Sequence, residues 1–100
     1  MAGELDDNQV LAAHVRVPEH VVLRDFQDET VILNLESGMY HGLNPTAARM
    51  LEELRRAASV AAAVDVLTPE LGQPREVIEA DLLGFARALE ERGLIERHDG

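Results

Sequence analysis

A small α+β domain, a meander of short strands followed by three helices, is the fold class the sequence predicts. Three observations lead to it. β-Type runs at Val21–Phe26, Thr30–Leu35 and Met39–Leu43 are separated by polar turns. Three later segments carry apolar residues at three- and four-residue steps behind clear helix-start residues. The chain has 100 residues, 46% of them hydrophobic, which suits one domain with one modest core.

Residues 1–13 begin polar and acidic with no sustained period and read as a mobile lead-in, although Val10, Leu11 and Ala12 are apolar enough to pack. The domain proper is expected over residues 14–96. His14-Val15-Arg16-Val17 alternates polar and apolar, Pro18 interrupts it, and Val21–Phe26 resumes it with β-branched and aromatic content. In the next strand Val31, Leu33 and Leu35 share one face, the better core candidate, and Ile32 and Asn34 share the other. A turn through Glu36, Ser37 and Gly38 leads to Met39–Leu43, which has no clearly polar side and is expected to be covered on both.

Asn44 fits a helix N-cap and Pro45 the first helical position, where its missing N–H costs nothing. Behind them Ala47, Met50, Leu51, Leu54 and Ala58 form an apolar stripe. Ser59 caps a second helix with Val60, Ala63, Val64 and Leu67 inward, ended by Pro69 and Gly72. A third helix opens at Pro74 and stops at Gly93. Its stripe of Val77, Ile78, Leu82, Leu83, Phe85, Ala86 and Leu89 is wider than one neighbour needs and predicts two contact surfaces. Leu94-Ile95 is expected to fold back on the core, and residues 97–100 read as a polar tail.

The net charge of −10, from 19 acidic and 9 basic residues, disfavours nucleic acid as a partner. Cysteine is absent, which excludes disulfides and thiolate metal sites and suits a cytoplasmic setting. No apolar run approaches membrane-spanning length, so no membrane association is expected. The four histidines, His14, His20, His41 and His98, lack the spacing of a metal site, and no catalytic or cofactor-binding motif is present; no metal, no cofactor and no enzymatic activity are expected. Strands followed by three helices also suit a winged-helix DNA-binding regulator. The third helix has the wrong sign for a DNA groove, with Glu76, Glu79, Asp81, Glu90 and Glu91 against Arg75, Arg87 and Arg92.

The segments VVLRDFQDETVILNLESGMYHGLNPTAARMLEEL and REVIEADLLGFARALEERGLI resemble the PqqD-like proteins, the recognition elements for leader segments of ribosomally made, modified peptides. The hairpin running into Leu43-Asn44-Pro45-Thr46-Ala47-Ala48 and the closing Arg92-Gly93-Leu94-Ile95 carry the likeness. Tyr40-His41-Gly42-Leu43-Asn44-Pro45 makes it most similar to the stand-alone form of lasso-peptide clusters. The resemblance implies a three-stranded antiparallel sheet packed on three helices, winged-helix-like, with a precursor leader added as a further strand. At the matching positions, Met39, Tyr40, His41, Gly42 and Leu43 would supply the ladder. Ile78, Leu82 and Phe85 would form a groove wall, and Asp81 would pair with a basic leader residue. The further partners implied are a leader peptidase and an ATP-dependent cyclase, or, in a related reading, a radical-SAM maturase.

Overall fold

The computed structural model describes residues 7–99. In chain order the elements are α1 (Asp7–Ala12), β1 (Ala13–Arg16), β2 (Val21–Asp25), β3 (Thr30–Asn34), β4 (Tyr40–Leu43), α2 (Pro45–Arg56), α3 (Val60–Leu71), α4 (Arg75–Glu91) and β5 (Glu96–Asp99). Two antiparallel sheets form: a ribbon of β1 with β5, and a three-stranded meander in the order β2-β3-β4. The strand expected to be interrupted at Pro18 is therefore two strands in different sheets. Val21 N–H donates to Pro18 O at 3.0 Å and closes the corner between them.

Helices α2 and α3 start where their side-chain chemistry says they should. Asn44 Oδ1 accepts from Ala47 N–H at 2.8 Å with Pro45 at the first position of α2, and Ser59 Oγ accepts from Ala62 N–H at 3.1 Å in α3. Gly72 (φ +68°) and Gly93 (φ +70°) supply the left-handed turns after α3 and α4. Pro69 does not end α3, as expected, but sits inside its last turn, where the Thr68 hydroxyl donates to Val64 O at 2.7 Å. Val60, Ala63, Val64 and Leu67 are all buried, and Leu94 and Ile95 return to the core.

Three further expectations are corrected. Of the lead-in, residues 1–6 lie outside the described residues, but residues 7–12 form α1, whose Val10 is 1% exposed in the core. Residues 97–99 of the tail belong to β5, in register with β1 from Ala13↔Asp99 to Arg16↔Glu96; Gly100 lies outside the description. The faces of β3 are reversed: Ile32 and Asn34 are buried, while Leu35 is 61% exposed. The buried face, Thr30, Ile32 and Asn34, is the more polar of the two, so alternation points the wrong way, and burying Asn34 is tolerated because both polar atoms of its amide have partners. Its Oδ1 accepts from Glu36 N–H at 2.9 Å and Ser37 N–H at 3.1 Å, and its Nδ2 donates to Gly93 O at 2.9 Å. The broad stripe of α4 is also explained. Ile78, Leu82, Leu83, Ala86 and Leu89 are buried, and α4 packs on both α3 and α1.

Candidate functional site

Because β4 ends the strand order, one of its two edges has no strand of the described residues beside it. The register shows which backbone groups point there. Asn34 N–H donates to Met39 O at 2.8 Å, so in an antiparallel ladder the groups facing β3 recur at His41 and Leu43, opposite Ile32 and Thr30. The N–H and C=O of Tyr40 and Gly42 therefore face the open edge. The contacts of Arg92 agree: its guanidinium, at the C-terminal end of α4, donates to Tyr40 O at 3.4 Å. Gly38, Met39, Tyr40, His41, Gly42 and Arg92 line an open depression of about 430 Å³ along this edge.

The sequence-predicted residues divide. Met39 (45% exposed), Tyr40 (64% exposed), His41 and Gly42 line the depression. Tyr40 and Gly42 share the outer face of the sheet, whereas His41 and Leu43 turn inward, Leu43 completely buried. Strand β4 is thus not covered on both faces. Ile78 and Leu82 are 2% and 0% exposed; they are core residues and offer no groove wall. Phe85, half-buried against the core, and Asp81, exposed, lie with Ala88 on the face of α4 that Arg92 continues, at steps of three and four residues.

Two contributions are not visible in the motifs. Gly84 is exposed in the middle of α4, and a Cβ there would meet nothing within 4 Å, although a mid-helix glycine costs about 1 kcal/mol relative to alanine. The helix surface beside Asp81 and Phe85 is consequently low. Asn34 and Gly93, bonded as described, tie the β3–β4 turn to the end of α4 and so fix the edge relative to the helix. Arg75 pairs with Asp65, Arg87 with Asp7 at 2.7 Å, and Arg92, just past the end of α4, with the Tyr40 carbonyl.

Among the described residues no group of three or more His, Cys, Asp and Glu side chains is arranged to hold a metal, and no helix is long and apolar enough to cross a membrane. Two charged groups among the described residues titrate away from their ordinary range. The Glu70 and Glu53 carboxylates raise Arg49, and the Arg16 guanidinium lowers Glu96. Neither lies at the open edge.

Residues 29–95 match the family model for coenzyme PQQ synthesis protein D (PqqD). Two solved structures are similar. "TbiB1 in Complex with the TbiA(beta) Leader Peptide" is 32% identical, with a TM-score of 0.72 over 81% of this chain and 94% of that one. "Lasso peptide synthetase B1 complexed with the leader peptide" is 28% identical, with a TM-score of 0.75 over 84% and 99%. Comparison with curated proteins gives no match.

Proposed function

Since this chain belongs to the PqqD family, we propose that it is a non-catalytic adaptor: it binds the leader of a ribosomally made precursor as an added strand and presents it to maturation enzymes. One observation carries the reading. The backbone groups of Tyr40 and Gly42 face an open sheet edge flanked by Arg92, which continues the α4 face of Asp81 and Phe85, an arrangement suited to β-strand addition. The leader would replace the long Arg92 contact at Tyr40 O with ladder bonds. Each such bond nets about 0.5–1.5 kcal/mol, against about 1–2 kcal/mol to order each leader residue. Apolar leader side chains must therefore supply the surplus by packing near Phe85 and Gly84, with Asp81 placed to meet a basic one.

The two similar complexes favour the lasso-peptide form of this function, in which a leader peptidase and an ATP-dependent cyclase receive the bound precursor. The family model's description keeps one other form open, a partner of a radical-SAM maturase in cofactor synthesis. Fluorescence polarisation with the leaders found in the two similar complexes tests the proposal. We expect dissociation constants of about 10⁻⁶ to 10⁻⁸ M, or about −8 to −11 kcal/mol. N-methylation along the leader should weaken binding at alternate residues, because only every second amide faces the protein. No binding by either leader, or sensitivity without that alternation, refutes strand addition.

A further inference from the structure

Gly42 has no side chain to offer on the outer face of β4, yet the space is filled. A Cβ built there would stand 2.5 Å from Glu29 Oε2 and 3.3 Å from its Cδ. The carboxylate of Glu29 thus occupies the position of a side chain at residue 42. The turn between β2 and β3 puts it there: Phe26 N–H donates to Glu29 O at 2.7 Å, and the Thr30 hydroxyl donates to Asp25 Oδ1 at 2.8 Å.

No hydrogen-bond donor or cation of the described residues satisfies this carboxylate. Arg24 shares the outer face and the same cross-strand row, Arg24–Val31–Gly42. It lies two strands away, roughly 9–10 Å at the usual strand spacing, and its guanidinium turns to Leu23 O at 3.5 Å. An unpaired anion therefore stands over one of the two β4 residues whose backbone faces the open edge.

We propose that Glu29 is a specificity-determining residue which, acting as a borrowed side chain of Gly42, selects a leader strand with Lys or Arg directly opposite Gly42 on the outer face. This rests on the strand-addition reading and deepens it. Directly opposed residues in an antiparallel pair hold their Cβ positions about 4.5–5.5 Å apart on one face, so a lysine or arginine stem reaches the carboxylate without leaving the strand. Neighbouring leader residues point to the opposite face and miss it. The contact differs from the one proposed for Asp81, which sits on α4. Glycine at 42 gains a reason here, since any larger residue would displace the carboxylate.

The test uses both leaders of the similar complexes as parents, each position changed singly to Lys and to Gln, titrated against wild type, Glu29→Gln and Glu29→Lys. At one position Lys should bind the wild type about two- to fivefold tighter than Gln, an advantage that shrinks as salt rises. The ratio should fall to about one with Glu29→Gln. With Glu29→Lys it should invert, and a Glu at that leader position should then bind better than Gln. Glu29 is exposed in a turn, so circular dichroism of both variants should match wild type. If the parents bind and no position shows a Glu29-dependent preference, the assignment is overturned while the adaptor reading stands. If neither parent binds, both fall together.

Discussion

Replacing Asn34 with alanine probes the joint that holds the open edge against α4. The side chain is 6% exposed and makes three hydrogen bonds, two accepted from Glu36 and Ser37 N–H in the turn and one donated to Gly93 O. At about 1 kcal/mol net for each, Asn34→Ala should cost about 3 kcal/mol, somewhat more if the Gly93 carbonyl stays dry. For a domain of this size that is a fall in Tm of roughly 12–24 °C. Asn34→Asp keeps both turn bonds but sets a carboxylate against the Gly93 carbonyl, and it should cost about 1–3 kcal/mol through that contact alone. Urea unfolding followed by circular dichroism measures both variants. Gly93→Ala sharpens the test, because its Cβ would lie 3.1 Å from Asn34 Nδ2 at a positive φ of 70°. In the Asn34→Ala background the steric part vanishes and only backbone strain remains, so the pair should be non-additive. An Asn34→Ala protein whose Tm moves by less than about 4 °C, or strict additivity with Gly93→Ala, would refute the joint.

Two further outcomes follow from bonds already described. Asn44→Ala removes the cap accepted from Ala47 N–H and should cost about 1 kcal/mol in chemical denaturation, with Asn44→Asp restoring most of it. The Arg16 guanidinium, 2.7 Å from Glu96 Oε1, lowers that carboxyl's titration, with a smaller contribution from His98; a depressed carboxyl stabilises the fold above its unfolded pKa and releases that stability as pH falls through the folded value. Arg16→Gln should therefore move the Glu96 titration upward by NMR and flatten the acid limb of stability, and an unmoved titration would rule the pairing out.

The helices were legible because local chemistry fixes them. Asn44, Pro45, Ser59 and Gly72 act within a turn of their own position, and the apolar steps behind them need no tertiary information. Strand β3 was not, since Val31, Leu33 and Leu35 outnumber Ile32, and the polarity of Asn34 points the wrong way until its partners at Glu36, Ser37 and Gly93 are known. Helix α1 is too short to show a period, and the polar run Glu96–Asp99 becomes a strand only by pairing with β1. At the candidate site the edge itself was legible as the run Met39–Leu43. Which of its amides point outward was not, because that depends on register. Ile78 and Leu82 could not be told from a groove wall without knowing which face of α4 joins the core, and Glu29 meets Gly42 only through the turn between β2 and β3.

The ribbon of β1 and β5 sets how the molecule bears a pull on its chain. Ala13 lies opposite Asp99 and Arg16 opposite Glu96, so tension applied beyond residues 13 and 99 opens the ribbon from its outer end, one residue pair after another, as a zipper yields. Meander β2-β3-β4 is a separate sheet and lies outside that line of force. A tether to a larger assembly beyond residue 99 would thus strain the zipper first, and one on the other side would first have to draw α1 and its buried Val10 from the core. Either way the edge at Tyr40 and Gly42 is left in shape while the load is taken up elsewhere.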